Sequence, residues 1–178
     1  LLARQPVFAI RQMTLDGDLQ RNNLATVRAN VLPRVAGSYF QVDLRQAREV
    51  FESVPWVRHA LVQRVWPNQL HVTLEEHRPA AYWRHAERDD QLVNVQGEVF
   101  DANVGDVEDQ LLPVLHAPSN ATADQARQML DMLARLKPLL APLDAEIQTL
   151  RLSDHGSWSV ALGSDATIEL GRGGVDEV

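Results

Sequence analysis

The chain has 178 residues, 45% of them hydrophobic, with a formal net charge of −7 and no cysteine. That length and balance suit a folded chain of one domain or two small ones. An acidic chain without a Lys/Arg cluster argues against nucleic acid as a main partner, and the lack of cysteine excludes disulfide staples and thiolate metal sites.

No apolar run approaches the roughly 18–20 residues that span a bilayer. The chain opens on Leu1-Leu2-Ala3-Arg4 without an initiator Met and reads as a piece of something longer. Residues 7–15 predict a strand through Phe8, Ile10, Met13 and Leu15, with a bulge where alternation breaks and a turn at Asp16-Gly17-Asp18. Leu24, Val27, Val31 and Leu32 follow helical spacing, with Asn22-Asn23 as candidate caps and Pro33 and Gly37 as stops. A second helix starts at Asp43, whose carboxylate and Gln46 make a capping box; Leu44, Ala47, Val50 and Phe51 are its inner stripe, and Pro55 ends it.

Two alternating runs, 57–66 and 70–76, then flank Pro67-Asn68-Gln69 and predict a hairpin. Setting Trp66 opposite Leu70, and Val62 opposite Leu74, puts both apolar sets on one side. The order strand, helix, helix, strand, strand buries that side most simply with two helices on one face of a small mixed sheet. The texture changes after Pro79. Ala80–Arg84 predicts a strand, and Gln91–Val95 and Glu98–Asp101 flank the tight-turn pair Gln96-Gly97. After a brief apolar run at Leu111–Leu115, Thr122-x-x-Gln125 caps a helix over 122–137. Its buried face is Ala126, Met129, Leu130, Leu133 and Leu136. Arg127, Asp131 and Arg135 form an outer ladder, and Pro138 and Pro142 are the stops. Gln148–Leu152, Trp158–Leu162 and Thr167–Leu170 predict three closing strands. The fold class is therefore α+β: a βααββ unit over 5–77, then an antiparallel β domain with one packed helix over 78–178.

The residues point away from catalysis. Ser153-Asp154-His155 are adjacent in sequence, where triad members rarely converge, and no G-x-S-x-G elbow accompanies them. Gly171-Arg172-Gly173-Gly174 lacks the Lys-Ser/Thr of a phosphate loop. The predicted register sets His59 opposite His77 near Glu75 and Glu76. Without a third imidazole, that is the polar side of a hairpin rather than a metal site. No enzyme activity, cofactor or metal is expected. Trp56, Trp66, Trp83 and Trp158 are expected in cores. What remains is edges and faces: two small sheets must have edge strands, where another chain can add a strand, and the last strand, Ala166–Gly171, is the candidate edge.

Several motifs carry a family likeness: Val54-Pro55-Trp56-Val57, Ala60-x-Val62-x-Arg64-x-Trp66-Pro67-x-x-Leu70-x-Val72-x-Leu74-x-Glu76-x-x-Pro79-x-Ala81-x-Trp83, Gly97-x-Val99-Phe100, Leu112-Pro113 and Leu170-Gly171-Arg172-Gly173. In order and spacing they resemble the bacterial FtsQ/DivIB cell-division family. The resemblance implies a single-pass inner-membrane protein whose main part is periplasmic, with a POTRA domain at 5–77 and a β domain at 78–178. It implies a non-enzymatic septal scaffold that binds FtsB and FtsL, with recruitment toward FtsK through the POTRA domain. FtsB would add a strand at the terminal edge of the β domain, next to the strand that matches Ala166–Gly171; the main FtsB-contact strand is expected to be missing here, and Thr167, Ile168, Glu169, Leu170 and Gly171 are the partner-binding candidates. Arg127, Asp131 and Arg135 on the neighbouring helix are further candidates. The family's final helix and strand should follow Gly173, and Val175-Asp176-Glu177-Val178 only begins them, so weakened FtsB binding is expected. The rival is a POTRA-bearing outer-membrane assembly or secretion component, which would show repeated units or a barrel.

Overall fold

The computed structural model describes residues 12–22, 24–35, 42–85 and 89–173, and the chain divides between His77 and Arg78 into two units. In the first, β1 (Gln12–Gly17) is followed by α1 (Leu24–Val35), α2 (Leu44–Glu52), β2 (Val57–Val65) and β3 (Gln69–Glu76). The sheet order is β1-β3-β2, with β1 parallel and β2 antiparallel to β3, the mixed βααββ arrangement expected. Val27, Val31 and Val35 of α1, with Ala47, Val50 and Phe51 of α2, bury against Ala60, Val62, Leu70, Val72 and Leu74. Full burial of the Val, Leu and Phe side chains among them contributes about 1.5–3 kcal/mol each.

Several local expectations need correction. The hairpin loop has three residues, but they are 66–68: Val65 faces Gln69, Val62 faces Val72 and Ala60 faces Leu74. Slipping the register by two preserves the faces, so hydrophobic pattern alone cannot distinguish the pairings. Trp66 therefore belongs to the turn and is 78% exposed, whereas Trp56, Trp83 and Trp158 are buried. A shift at the base of β2 sets His59 opposite Glu75, not His77. Leu32 lies on the exposed side of α1, and Pro33 sits inside that helix, which runs on to Val35. Asp16 and Gly17 end β1 rather than turning the chain. Asp43 caps α2 by accepting N–H bonds from Arg45 (2.8 Å) and Gln46 (3.2 Å), but the return bond from Gln46 is not made among the described residues. The expectations at Phe8, Ile10, Asn23, Gly37 and Gly174 onward lie outside the described residues.

The helix α1 is entered through a contact that no local motif announces. Glu76, at the end of β3, is buried, and its carboxylate accepts the main-chain N–H groups of Gln20 (3.0 Å), Arg21 (3.0 Å) and Asn22 (2.9 Å), plus the Asn22 side-chain amide (2.9 Å). Three consecutive donors thus meet one charged acceptor, the charge-assisted kind of bond that is the strongest available to a carboxylate. The Arg21 guanidinium in turn lies 4.5 Å from the ring centre of Trp56.

The second unit is a seven-stranded sheet in the order β10-β9-β8-β7-β4-β5-β6, built from β4 (Pro79–His85), β5 (Gln91–Asn94), β6 (Val99–Phe100), β7 (Val114–Ala117), β8 (Ile147–Leu152), β9 (Ser157–Leu162) and β10 (Thr167–Arg172). One helix, α3 (Ala123–Leu140), buries Ala126, Met129, Met132, Leu133, Leu136 and Leu140 against Ala81, Trp83, Val93, Leu115, Leu150, Trp158 and Val160. The α+β class with one packed helix stands. The sheet, expected to be antiparallel, is so at both ends, but β4, β7 and β8 run parallel in its middle. Returning a strand in the same direction needs a crossover, and α3 is the crossover between β7 and β8. The Thr122/Gln125 capping box forms as read from the sequence. Pro138 does not stop the helix, which runs on to Leu140 before a short 3₁₀ turn. Among the described residues, no helix is long and apolar enough to cross a membrane.

Candidate functional site

The last strand, β10, pairs only with β9 and stands at one end of the sheet among the described residues. Its inward side chains, Ile168 and Leu170, are half-buried and pack on the core beneath α3; Thr167, Glu169 and Gly171 are exposed. Thr167, Ile168 and Glu169 face Ala161, Val160 and Ser159 in turn, and then the register slips at Leu170 so that Gly171 faces Trp158. This is a β-bulge with Gly171 at φ 90°, a conformation that favours glycine. Beyond it, Trp158 Nε1 donates to the Gly173 carbonyl at 3.0 Å and fastens the end of the strand.

The ladder phase identifies the outward groups. Leu162 N–H donates to the Ala166 carbonyl at 2.9 Å, and hydrogen-bonded pairs alternate along an antiparallel ladder. Ile168 therefore turns its main-chain donor and acceptor toward β9, while Thr167 and Glu169 turn theirs outward. The edge offers two donors and two acceptors with no strand beside them among the described residues.

The three helix candidates are exposed on the outer side of α3, as their spacing predicts, but they do not form a simple ladder. Arg127 places its guanidinium on the Gln96 carbonyl (Nε 3.3 Å, terminal nitrogen 3.2 Å), in the turn between β5 and β6. Gly97 in that turn has φ 83°, and a Cβ there would stand 2.9 Å from Arg127 Cα, so glycine is required on two counts. In the strand order, β5 and β10 are five intervals apart, about 24 Å at normal strand spacing. Arg127 and the β10 edge are therefore not brought together.

Two carboxylates of this unit, Asp154 and Asp90, are spent on structure. Asp154 does not join Ser153 and His155; it accepts the Ser119 N–H (2.6 Å) and hydroxyl (2.9 Å), bonds that hold its carboxyl below the usual range. Asp90 is bound at both oxygens by Arg84 (2.9 and 2.6 Å), which likewise lowers it. Among the described residues, no three His, Asp or Glu side chains converge as a metal site would need. Sequence reasoning missed the main-chain phase of β10, which depends on pairing with β9, and the Arg127–Gln96 bond, which depends on where α3 lands.

Two family models match this chain: the POTRA domain, FtsQ-type, over residues 8–77, and Cell division protein FtsQ/DivIB, C-terminal, over residues 81–178. It is 45% identical over 162 residues to the cell division protein FtsQ of Thiomonas arsenitoxydans, covering 91% of this chain and 58% of that protein. To the FtsQ of Burkholderia pseudomallei it is 42% identical over 171 residues (96% and 65% covered), and to that of Bordetella pertussis 36% over 176 residues (96% and 62%). The chain thus spans about three fifths of the length of these relatives. Its POTRA-like first unit, its mostly β second unit with one packed helix, and matches over nearly its whole length lead to one conclusion: the chain belongs to the FtsQ/DivIB family of cell division proteins.

Proposed function

We propose that the protein is a non-enzymatic scaffold of the division machinery that binds FtsB and FtsL by lending them the outer edge of β10. The observation that carries this reading is the row of outward main-chain groups on Thr167 and Glu169, at an end of the sheet where no strand is paired among the described residues. Strand addition at such an edge takes its affinity from main-chain bonds and its selectivity from alternate side chains. Thr167, Ile168, Glu169, Leu170 and Gly171 form the main contact in this proposal, and Arg127, Asp131 and Arg135 a second one on α3. The family likeness supports a place at the septum, with the body of the protein in the periplasm, an inner-membrane anchor and contacts with FtsK through the first unit.

Glu169→Pro tests the edge. Proline deletes an outward N–H but leaves the Ile168 bonds to β9 in place, so stability should fall by about 1 kcal/mol or less. Calorimetric titration with the periplasmic segments of FtsB and FtsL should show affinity falling about tenfold or more. Unchanged affinity in a folded variant would remove β10 as the site.

A further inference from the structure

Asp16-Gly17 is the one Asp-Gly pair in the sequence, and Asn-Gly does not occur. Glycine has no side chain to obstruct its own nitrogen, so this is the pair in which a carboxyl and the next main-chain amide most readily close a ring. A ladder bond would occupy that amide. The fold leaves it outside the ladder.

The phase of β1 against β3 decides this. Asp18 N–H donates to the Leu74 carbonyl at 2.9 Å, and alternate residues of a strand turn their main-chain groups toward the same neighbour. Asp16 therefore faces β3. Gly17 faces outward, as does Met13, whose carbonyl is taken by Arg28. On that outer side the Gly17 N–H donates to the carboxylate of its own predecessor, Asp16 Oδ1, at 2.7 Å. Both residues are exposed, so water reaches them. The nitrogen and the carboxyl are thus held in contact, as in a near-attack conformer.

We propose that Asp16 is a site of spontaneous covalent modification, converting to isoaspartate through a cyclic imide. The Gly17 nitrogen bonds to Asp16 Cγ of the protonated carboxyl; the carboxyl hydroxyl and the amide proton leave together as water. A water molecule then opens the imide. Where it cleaves the bond between Gly17 nitrogen and the original Asp16 carbonyl, the main chain runs through the former side chain. The chain is then one methylene longer, the carboxyl group is conserved, and nothing is oxidised or reduced.

The surroundings cannot absorb that methylene. A Cβ on Gly17 would stand 2.1 Å from the Leu74 carbonyl oxygen, so the two backbones already touch. Asp18 is fixed on the same carbonyl, and the amides of residues 20–22 are gripped by Glu76. Leu74 and Glu76 both belong to β3. Lengthening β1 at its last residue displaces every one of these donors against a fixed row of acceptors. The modification therefore loosens the entry to α1, and the pair acts as a timer on the first unit.

The test ages the full chain in mildly acidic buffer at body temperature, beside Asp16→Glu, whose longer side chain closes the ring far more slowly, and Asp18→Glu. Isoaspartate is measured by methyl transfer with isoaspartyl methyltransferase and located by peptide mass spectrometry. The parent and Asp18→Glu should accumulate it at position 16, and Asp16→Glu should not. Asp101 and Asp165 should stay unmodified in all three. The Tm of the aged parent should fall in step with the modified fraction, while Asp16→Glu of the same age keeps its own. The proposal is overturned if position 16 stays aspartate in the folded chain yet converts in the same chain unfolded in urea, or if conversion spreads evenly over the aspartates. Conversion at position 16 with an unchanged Tm would overturn the link to the segment held by Glu76.

Discussion

The strand edges of this molecule are not alike. On β1, Arg28 reaches over to take the Met13 carbonyl at 3.1 Å. On β2, the Ala60 N–H is covered by the Glu52 carboxylate at 3.2 Å, and Arg64 extends to the Val42 carbonyl. At one end of the larger sheet, β6 has only two residues, Val99 and Phe100. β10 runs for six residues with no side chain laid over Thr167 or Glu169 among the described residues. Short or covered edges are how proteins avoid unwanted pairing. Among the described residues, then, β10 is the longest edge whose outward groups carry no side-chain cover.

The contrast can be attacked in three ways. The harshest removes the frame on which the shielded edge of β2 rests. Val62 is 9% exposed, inside the core of the first unit, and Val62→Asp should cost several kcal/mol and unfold that unit. Chemical denaturation showing a cooperative transition at the parental midpoint would mean the hairpin's buried face is not the one described. A gentler change strips the cover alone. Glu52→Ala should cost about 1 kcal/mol and raise self-association in sedimentation velocity, because the Ala60 donor is then open to a second chain; no change in association would make the cover incidental.

The smallest effect is a pH dependence. His116, facing Arg84, Arg151 and Asp90 and bonded through the Ala117 backbone, has its pKa lowered from 6.5 by burial first and then by Arg151 and Arg84. The unfolded chain therefore binds the proton more readily. Stability should decline as pH falls through 6.5 toward the lower folded value, a slope that His116→Asn removes. Asp43, Asp90 and Asp154, all lowered from 3.8 by hydrogen bonds, contribute stability above that value and lose it only in stronger acid. Melting temperatures of parent and variant across this range would separate the two regimes.

Much of the architecture was legible because it is written in short-range pattern. Alternation marked β2, β3, β8, β9 and β10, and helical spacing with the Thr122/Gln125 box marked α3. The failures share a physical origin. The hairpin register slipped by two because faces survive such a slip, and it carried Trp66 from core to turn. Pro33 and Pro138 do not end their helices at once; each helix runs two residues further, to Val35 and Leu140, so a proline marks the last turn rather than the last residue. The parallel middle of the sheet and the grip of Glu76 on residues 20–22 depend on partners more than 30 residues away, where local pattern is silent. The candidate strand itself was readable; that Thr167 and Glu169 carry the outward bonds follows only from its phase against β9.

The bulge at Leu170 limits what can happen beside it. Regular outward groups recur only up to Glu169, and past that point the backbone bends and Gly171 leaves the repeat. A neighbouring chain aligned on this margin runs out of matching positions within a handful of residues. If a strand is added here as proposed, the bulge acts as a ruler with a built-in terminus: the added strand finds regular partners only as far as Glu169.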